Sequence, residues 1–161
     1  MMKKLIPPNA AIDLAILEAN KSPCSKSKRG AVIYSEGAGV IASGRNSQPL
    51  PFKCDGSVLC KKACAKLCEH AEAAAIRKIS ECIGFDKAHE LYGDMYLLHV
   101  KAVDGKLKHS GRPSCWQCSR QILCHDKIKG IWLYHEEGWK FYSPINFHQL
   151  TLEYESLPIF R

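Results

Sequence analysis

Residues 67–80 read LCEHAEAAAIRKIS, and residues 112–123 read RPSCWQCSRQIL. The first stretch is rich in alanine, with Ala73, Ile76 and Ile79 spaced for burial, which predicts a helix over residues 69–82. It opens with His70 and Glu72, only two residues apart. Helical neighbours on one face stand three or four residues apart, whereas a gap of two rotates the side chain by ~200°. Both side chains can reach a common point only in the first turn, before the backbone has settled into the helix. A functional pair of this kind belongs at a helix N-terminus that faces a pocket. Taken alone, the triplet reads as a surface pair.

The second stretch carries more chemistry. Cys115 and Cys118 lie three apart, follow Pro113 and open another helix, predicted over residues 115–126. Two thiols in one first turn can clamp a single ion, and the partial positive charge of that helix end favours thiolates. Two readings stay open for the spacing alone, zinc ligation or a dithiol redox pair. The redox reading leaves His70 and Glu72 without a purpose. Catalytic zinc takes three protein ligands and keeps one position for water. His70, Cys115 and Cys118 supply three, and Glu72 supplies a carboxylate that does not ligate and can move protons.

The bulk numbers suit that chemistry. A chain of 161 residues accommodates one ordinary domain, taken here as residues 1–161, with a substantial core. Hydrophobic content of 46% and charged content of 24% are those of a soluble globular protein. No apolar run approaches the ~20 residues of a membrane span, so no membrane partner is expected. The start has Lys3 and Lys4 but breaks at Pro7–Pro8 and continues as an amphipathic helix carrying Asp13 and Glu18, which does not read as an export signal. Nine cysteines, an odd number, then point to a cytoplasmic chain that ligates metal rather than to a disulfide framework. A net charge of +7 favours anionic partners such as nucleotides, although a solvated basic surface is the default meaning of such a charge.

The pattern predicts helix, strand, strand, helix, strand, helix, strand, helix. The first helix covers residues 8–21 with an apolar face of Ile12, Leu14, Ile16 and Leu17. Two strands at 30–35 and 39–44 flank a turn at Glu36–Gly37, and a third strand over 94–103 ends at the turn dipeptide Asp104–Gly105. A strand at 130–135 and a helix from Pro144 to Glu155 complete the set. This alternation makes an α/β domain with helices layered on a central sheet.

The motifs His70-Ala71-Glu72 and Cys115-Trp116-Gln117-Cys118, together with SKRGAVIYSEGAGVIASGRN at 27–46, resemble the zinc-dependent cytidine and deoxycytidylate deaminase superfamily. The similarity runs from about Cys24 to Lys129. It implies a three-layer α-β-α fold whose mixed sheet has about five strands, and hydrolytic deamination of a nucleobase, with Zn2+ on His70, Cys115 and Cys118 and Glu72 as the acid–base residue. It also implies that Asn46 contacts the sugar and that the chain forms a homo-oligomer. Two features depart from the family. Ser114 stands between the usual proline and the first cysteine, and residues 100–112 are inserted before the motif.

Cys54, Cys60, Cys64 and Cys68 crowd the approach to His70, and Cys24 precedes the first strand. We expect a second, structural zinc drawn from these five, because clustered cytosolic cysteines bind metal and some relatives carry cysteines resembling Cys24 and Cys54 in such a site. An iron–sulfur cluster or plain buried thiols are the alternatives. On a continuous helix Cys60 and Cys68 would stand ~12 Å apart, too far to share an ion whose bonds to sulfur are ~2.3 Å. Either residues 54–68 are partly irregular or one thiol stays out. Cys82 and Cys124 read as packing, and the six histidines other than His70 as structural or surface.

For the substrate, Lys26–Arg29 and the inserted basic residues Lys101, Lys106, Lys108 and Arg112 favour a nucleotide over a nucleoside. Arg112 and Trp116 join Asn46 as candidate substrate contacts. The expected substrate is cytosine in a (deoxy)cytidine nucleotide or nucleoside. A base presented by single-stranded DNA or tRNA is the rival, with the C-terminal aromatics, among them Tyr154 and Phe160, able to stack on bases. A non-catalytic, zinc-stabilised nucleic-acid-binding module is the alternative of another class.

Overall fold

The computed structural model describes residues 6–110 and 113–156. Arg112 and Phe160 therefore lie outside the described residues. The chain runs α1 (Asn9–Asn20), β1 (Lys28–Ser35), β2 (Gly39–Arg45), α2 (Val58–Leu67), α3 (Ala71–Cys82), α4 (Phe85–Tyr92), β3 (Met95–Val103), β4 (Lys106–Lys108), α5 (Trp116–Cys124), β5 (Ile128–His135), β6 (Gly138–Tyr142) and α6 (Pro144–Ser156). The sheet order is β2-β1-β3-β5-β6, with β4 paired to β3 beside that path. Among the described residues β3 and β5 alone run parallel, and the other ladders are antiparallel.

The period of two along the strands sorts side chains into two cores. Ala31, Ile33, Met95, Leu97, Ile131 and Leu133 face one way, towards α3, α4, α5 and α6. Val32, Tyr34, Leu98, Val100 and Trp132 face the other way, towards α1. The result is the expected three-layer α-β-α arrangement on a mixed sheet, one strand larger than expected.

Close approach of helix to strand governs both layers. A Cβ at Gly30 would fall 2.0 Å from the Ala15 carbonyl oxygen, and one at Gly44 would fall 2.5 Å from the Ala75 nitrogen. At such separations only alanine-sized side chains fit between the backbones. The buried face of α1 is accordingly Ala11, Ala15, Glu18 and Ala19, while Leu17 is exposed. This corrects the expected face of Ile12, Leu14, Ile16 and Leu17, of which the three isoleucine and leucine side chains other than Leu17 are half-buried at its edge. Glu18 survives burial because Ser43 Oγ donates to Oε1 at 3.0 Å and Arg45 Nη1 stands 3.5 Å from Oε2.

Two helices and two strands go beyond the sequence reading: α2, α4, β4 and β6. The inserted segment is in part an ordered hairpin. The β3–β5 ladder ends at His99–Leu133, and β4 takes over that side of β3 from Lys101–Lys108. Asp104 and Gly105 both have positive φ, 50° and 76°, as a two-residue hairpin turn of primed type requires.

Candidate metal and acid–base centre

Two helix N-termini meet at the site. His70 is the N-cap of α3, with extended backbone at φ −78° and ψ 157°. A short antiparallel bridge fixes it there: Ser47 N–H donates to the Glu69 carbonyl at 3.0 Å and Glu69 N–H to that of Ser47 at 2.8 Å. Glu72 lies in the first turn of α3, so the two-residue gap is accommodated where regular helix geometry has just begun. Cys115 is likewise the N-cap of α5, and its sulfur accepts the Cys118 N–H.

His70 Nδ1 lies 3.3 Å from Cys115 Sγ and 3.4 Å from Cys118 Sγ. The three donor atoms are all within 4.8 Å of one another. Nitrogen and sulfur donors on one tetrahedral zinc stand about 3.5 Å apart, so the set fits that ion without rearrangement. The thiols point the same way. Cys115 falls to about 4, first because Cys118 donates to its sulfur, while Cys118 is pushed far up by sharing that proton and by burial. A cation between the sulfurs takes the place of the shared proton. The contact with Cys115 holds the His70 imidazole above its ordinary value, against the effect of burial.

Glu72 stays out of the donor set and is 2% exposed. Ser114 Oγ donates to its Oε1, and His99 Nδ1 stands 3.6 Å from the same oxygen. Burial acts to raise the Glu72 carboxyl, and the His99 imidazole and the Ser114 hydroxyl together leave it below its ordinary value. His99 is itself depressed by burial, with the Glu72 charge opposing.

These groups line a cavity of about 340 Å³, large enough for a nucleoside-sized ligand. Buried Glu72, His99 and Ser114 form its floor, and exposed Lys26 and Lys61 stand at its mouth with Arg29. Asn46 also lines it, yet its amide is engaged: Oδ1 accepts Arg29 N–H at 2.8 Å and Nδ2 donates to the Ser27 carbonyl at 2.7 Å. Tyr154 and Glu155 reach the cavity from α6, and Glu155 Oε1 accepts the Trp116 N–H at 3.1 Å.

Several expectations change here. The Trp116 ring does not line the cavity; it is 38% exposed with Arg120 Cζ 4.9 Å from its centroid. Lys101, Lys106 and Lys108 belong to the β3–β4 hairpin and do not line the cavity either, whereas Lys61 of α2 does. His99, expected to be structural or surface, is buried with its Nδ1 3.6 Å from Glu72 Oε1. Cys82 and Cys124 are exposed rather than packed.

All nine cysteines are free. Cys54 Sγ is 3.5 Å from Cys60 Sγ, and Cys24 and Cys64 line the cavity. Among the described residues His70, Cys115 and Cys118 are the one group of three or more metal-ligating side chains brought together, so the arrangement lends no support to a second zinc. The stretch 54–68 is partly irregular: residues 54–57 precede the helix, Cys60 and Cys64 lie on α2, and Cys68 is its C-cap with extended backbone. Among the described residues no helix is long and apolar enough to cross a membrane.

The fold is that of the cytidine and dCMP deaminases. The dCMP deaminase of cyanophage S-TIM5, solved in complex with dCMP and dUMP, superposes with a TM-score of 0.54 at 22% identity over 78% of this chain and 81% of its own. A cytidine deaminase from Burkholderia pseudomallei gives 0.55 at 15% identity over 88% and 96%, and a mutant cytidine deaminase from Mycobacterium tuberculosis gives 0.52 at 18% over 84% and 90%. No protein-family model matches the sequence, and no curated protein matches it.

Proposed function

We propose that this chain is a zinc-dependent hydrolytic deaminase of a nucleobase, acting on cytosine in a (deoxy)cytidine nucleotide or nucleoside and releasing ammonia. The observation that carries the reading is the convergence of His70, Cys115 and Cys118 beside a buried carboxylate that is not a donor to the same point. Zinc bound by those three residues supplies Lewis-acid activation of a water at neutral pH. Glu72 would move the protons. One goes to the ring nitrogen as the water oxygen adds to the carbon bearing the amine. A second goes from the added hydroxyl to the amine, whose bond to carbon then breaks to release ammonia, so one carboxylate acts as base and then as acid. The cavity walls hold the base and exclude bulk water, and Lys26, Arg29 and Lys61 meet a phosphate at the mouth.

A non-catalytic module gives no reason to keep a carboxylate buried among imidazoles and a hydroxyl, where its burial lowers stability. A polymeric substrate is the second reading, favoured by Lys61, Lys62 and Lys66 exposed on α2 beside the cavity mouth. The same proposal includes a single domain, a cytoplasmic location, which nine free thiols suit, and a homo-oligomer, for which exposed Leu50, Phe52, Val58 and Leu59 offer apolar surface.

The test is a panel of nucleosides, nucleotides and single-stranded oligonucleotides offered to the zinc-loaded protein, scored for ammonia and deaminated product. Turnover of a cytosine mononucleotide or nucleoside upholds the proposal, turnover of oligonucleotides alone moves it to the second reading, and no product with any member sinks it.

A further inference from the structure

Resting on the deaminase reading, we propose that Ser114 is a positioning residue for Glu72, fixing the orientation in which its carboxylate meets the substrate. Ser114 is the residue that separates Pro113 from the first thiol, so the hydroxyl is delivered from the non-helical residue just before the α5 N-cap. Its side chain is 7% exposed, and a buried hydroxyl needs a partner. That partner is Glu72 Oε1, 42 residues away in sequence and on a different helix.

Geometry separates this from chance satisfaction of a buried hydroxyl. Glu72 is more deeply buried than Ser114, and a buried carboxylate depends on donors. The other group facing Oε1 is His99, whose Nδ1 is buried without a hydrogen-bond partner and, at 3.6 Å, stands beyond hydrogen-bonding distance. Ser114 is therefore the side chain that bonds the carboxylate, and His99 walls off the space beside it. Both contacts fall on Oε1. With that oxygen held, rotation of the carboxylate about its terminal bond is restrained and the other oxygen is left to carry protons. A carboxylate free to turn would spend much of its time misdirected, and misplacement of a reacting group lowers the rate without weakening substrate binding.

The experiment compares wild type with Ser114→Ala and Ser114→Thr, each checked for zinc content. Ser114→Ala is expected to lose roughly 10- to 100-fold in kcat with KM unchanged, as supporting hydrogen bonds at metal sites typically do, and Ser114→Thr to regain most of it. A second readout does not use turnover. The side-chain carboxyl 13C resonance of Glu72, assigned by its loss in Glu72→Gln, is expected to move in Ser114→Ala and to return in Ser114→Thr. Equal kcat in wild type and Ser114→Ala, or an unmoved resonance, overturns the inference. Should wild type deaminate nothing, the resonance alone decides, so the two readings fail separately. Ser114→Gly removes the same hydroxyl and replaces the alanine variant if that one fails to fold.

Discussion

Cys115 Sγ lies 3.3 Å from His70 Nδ1, although 45 residues and two strands separate them. Each is an N-cap, so each side chain projects from a helix end before the regular turns begin. A metal held there ties the α3 and α5 N-termini together. We expect one zinc per chain in wild type and none after dialysis of His70→Ala or Cys118→Ala, measured by elemental analysis. Two zincs per chain would reinstate a second site among Cys24, Cys54, Cys60, Cys64 and Cys68.

Glu72→Ala should keep that zinc, because the carboxylate is not one of the three converging donors. Deamination should fall by at least about 10²-fold, the lower end for loss of a general acid–base group. Zinc analysis beside ammonia release checks both halves. An alanine variant as active as wild type would remove Glu72 from the chemistry.

Gly44 allows α3 to sit directly on β2. An added Cβ would lie 2.5 Å from the Ala75 nitrogen and 2.7 Å from the Ala71 oxygen, both backbone atoms that cannot step aside. Gly44→Ala is therefore expected to cost about 1–3 kcal/mol and to shift the turn that carries His70 and Glu72, so zinc affinity falls together with Tm. Gly30→Ala makes the same clash against α1, on the opposite face of the sheet, and should lower Tm while leaving zinc binding intact. Calorimetry and zinc titration of the pair separate packing from site geometry.

What could be read from the sequence follows from how local each signal is. His70, Glu72, Cys115 and Cys118 were legible because a two-residue gap and a three-residue gap each have meaning at a helix N-terminus. His99 and Ser114 were not, because their contacts with Glu72 depend on how β3 and the segment before α5 lie against α3, a matter of packing between distant segments. The buried face of α1 was misread for a related reason. Larger side chains mark a core face only when backbones stand apart, and Gly30 brings β1 so close that the alanines go inside. Lys61 was overlooked as a cavity residue because α2 itself was overlooked: its run of cysteines and lysines carries little apolar periodicity. Tyr154 and Glu155 depend on the return of α6 to the mouth of the cavity, which no local pattern announces.

Cys54 should be an unusually reactive thiol. Ser25 Oγ and Ser25 N–H both lie 3.2 Å from its sulfur and favour the thiolate, bringing it down to about 6 from an ordinary value of 9.0. Because the thiolate is the nucleophile, alkylation should already be fast at pH 7 and should slow only as pH falls through about 6. Ser25→Ala removes the hydroxyl contact, so the midpoint should move upward. Iodoacetamide labelling across pH, with the modified cysteine located by mass spectrometry, reads both. An unshifted midpoint near that of a free thiol would deny the hydrogen bonds their effect.

Lys61 gives the sharpest test of what enters the cavity. It stands on α2 at the mouth with Lys26, and among the described residues neither has a carboxylate partner. A phosphate on the substrate would meet both, whereas an unphosphorylated nucleoside would meet neither. A charge-assisted contact is worth about 1.5–3 kcal/mol when shielded, and exposure at the mouth reduces it to about 1 kcal/mol, or roughly fivefold. Lys61→Ala should therefore raise KM for a nucleotide by that factor and leave kcat and the nucleoside KM unchanged. The nucleotide effect should shrink as salt is added, since the contact is screened. Equal changes in KM for both substrates would mean that Lys61 shapes the cavity wall rather than reading a phosphate.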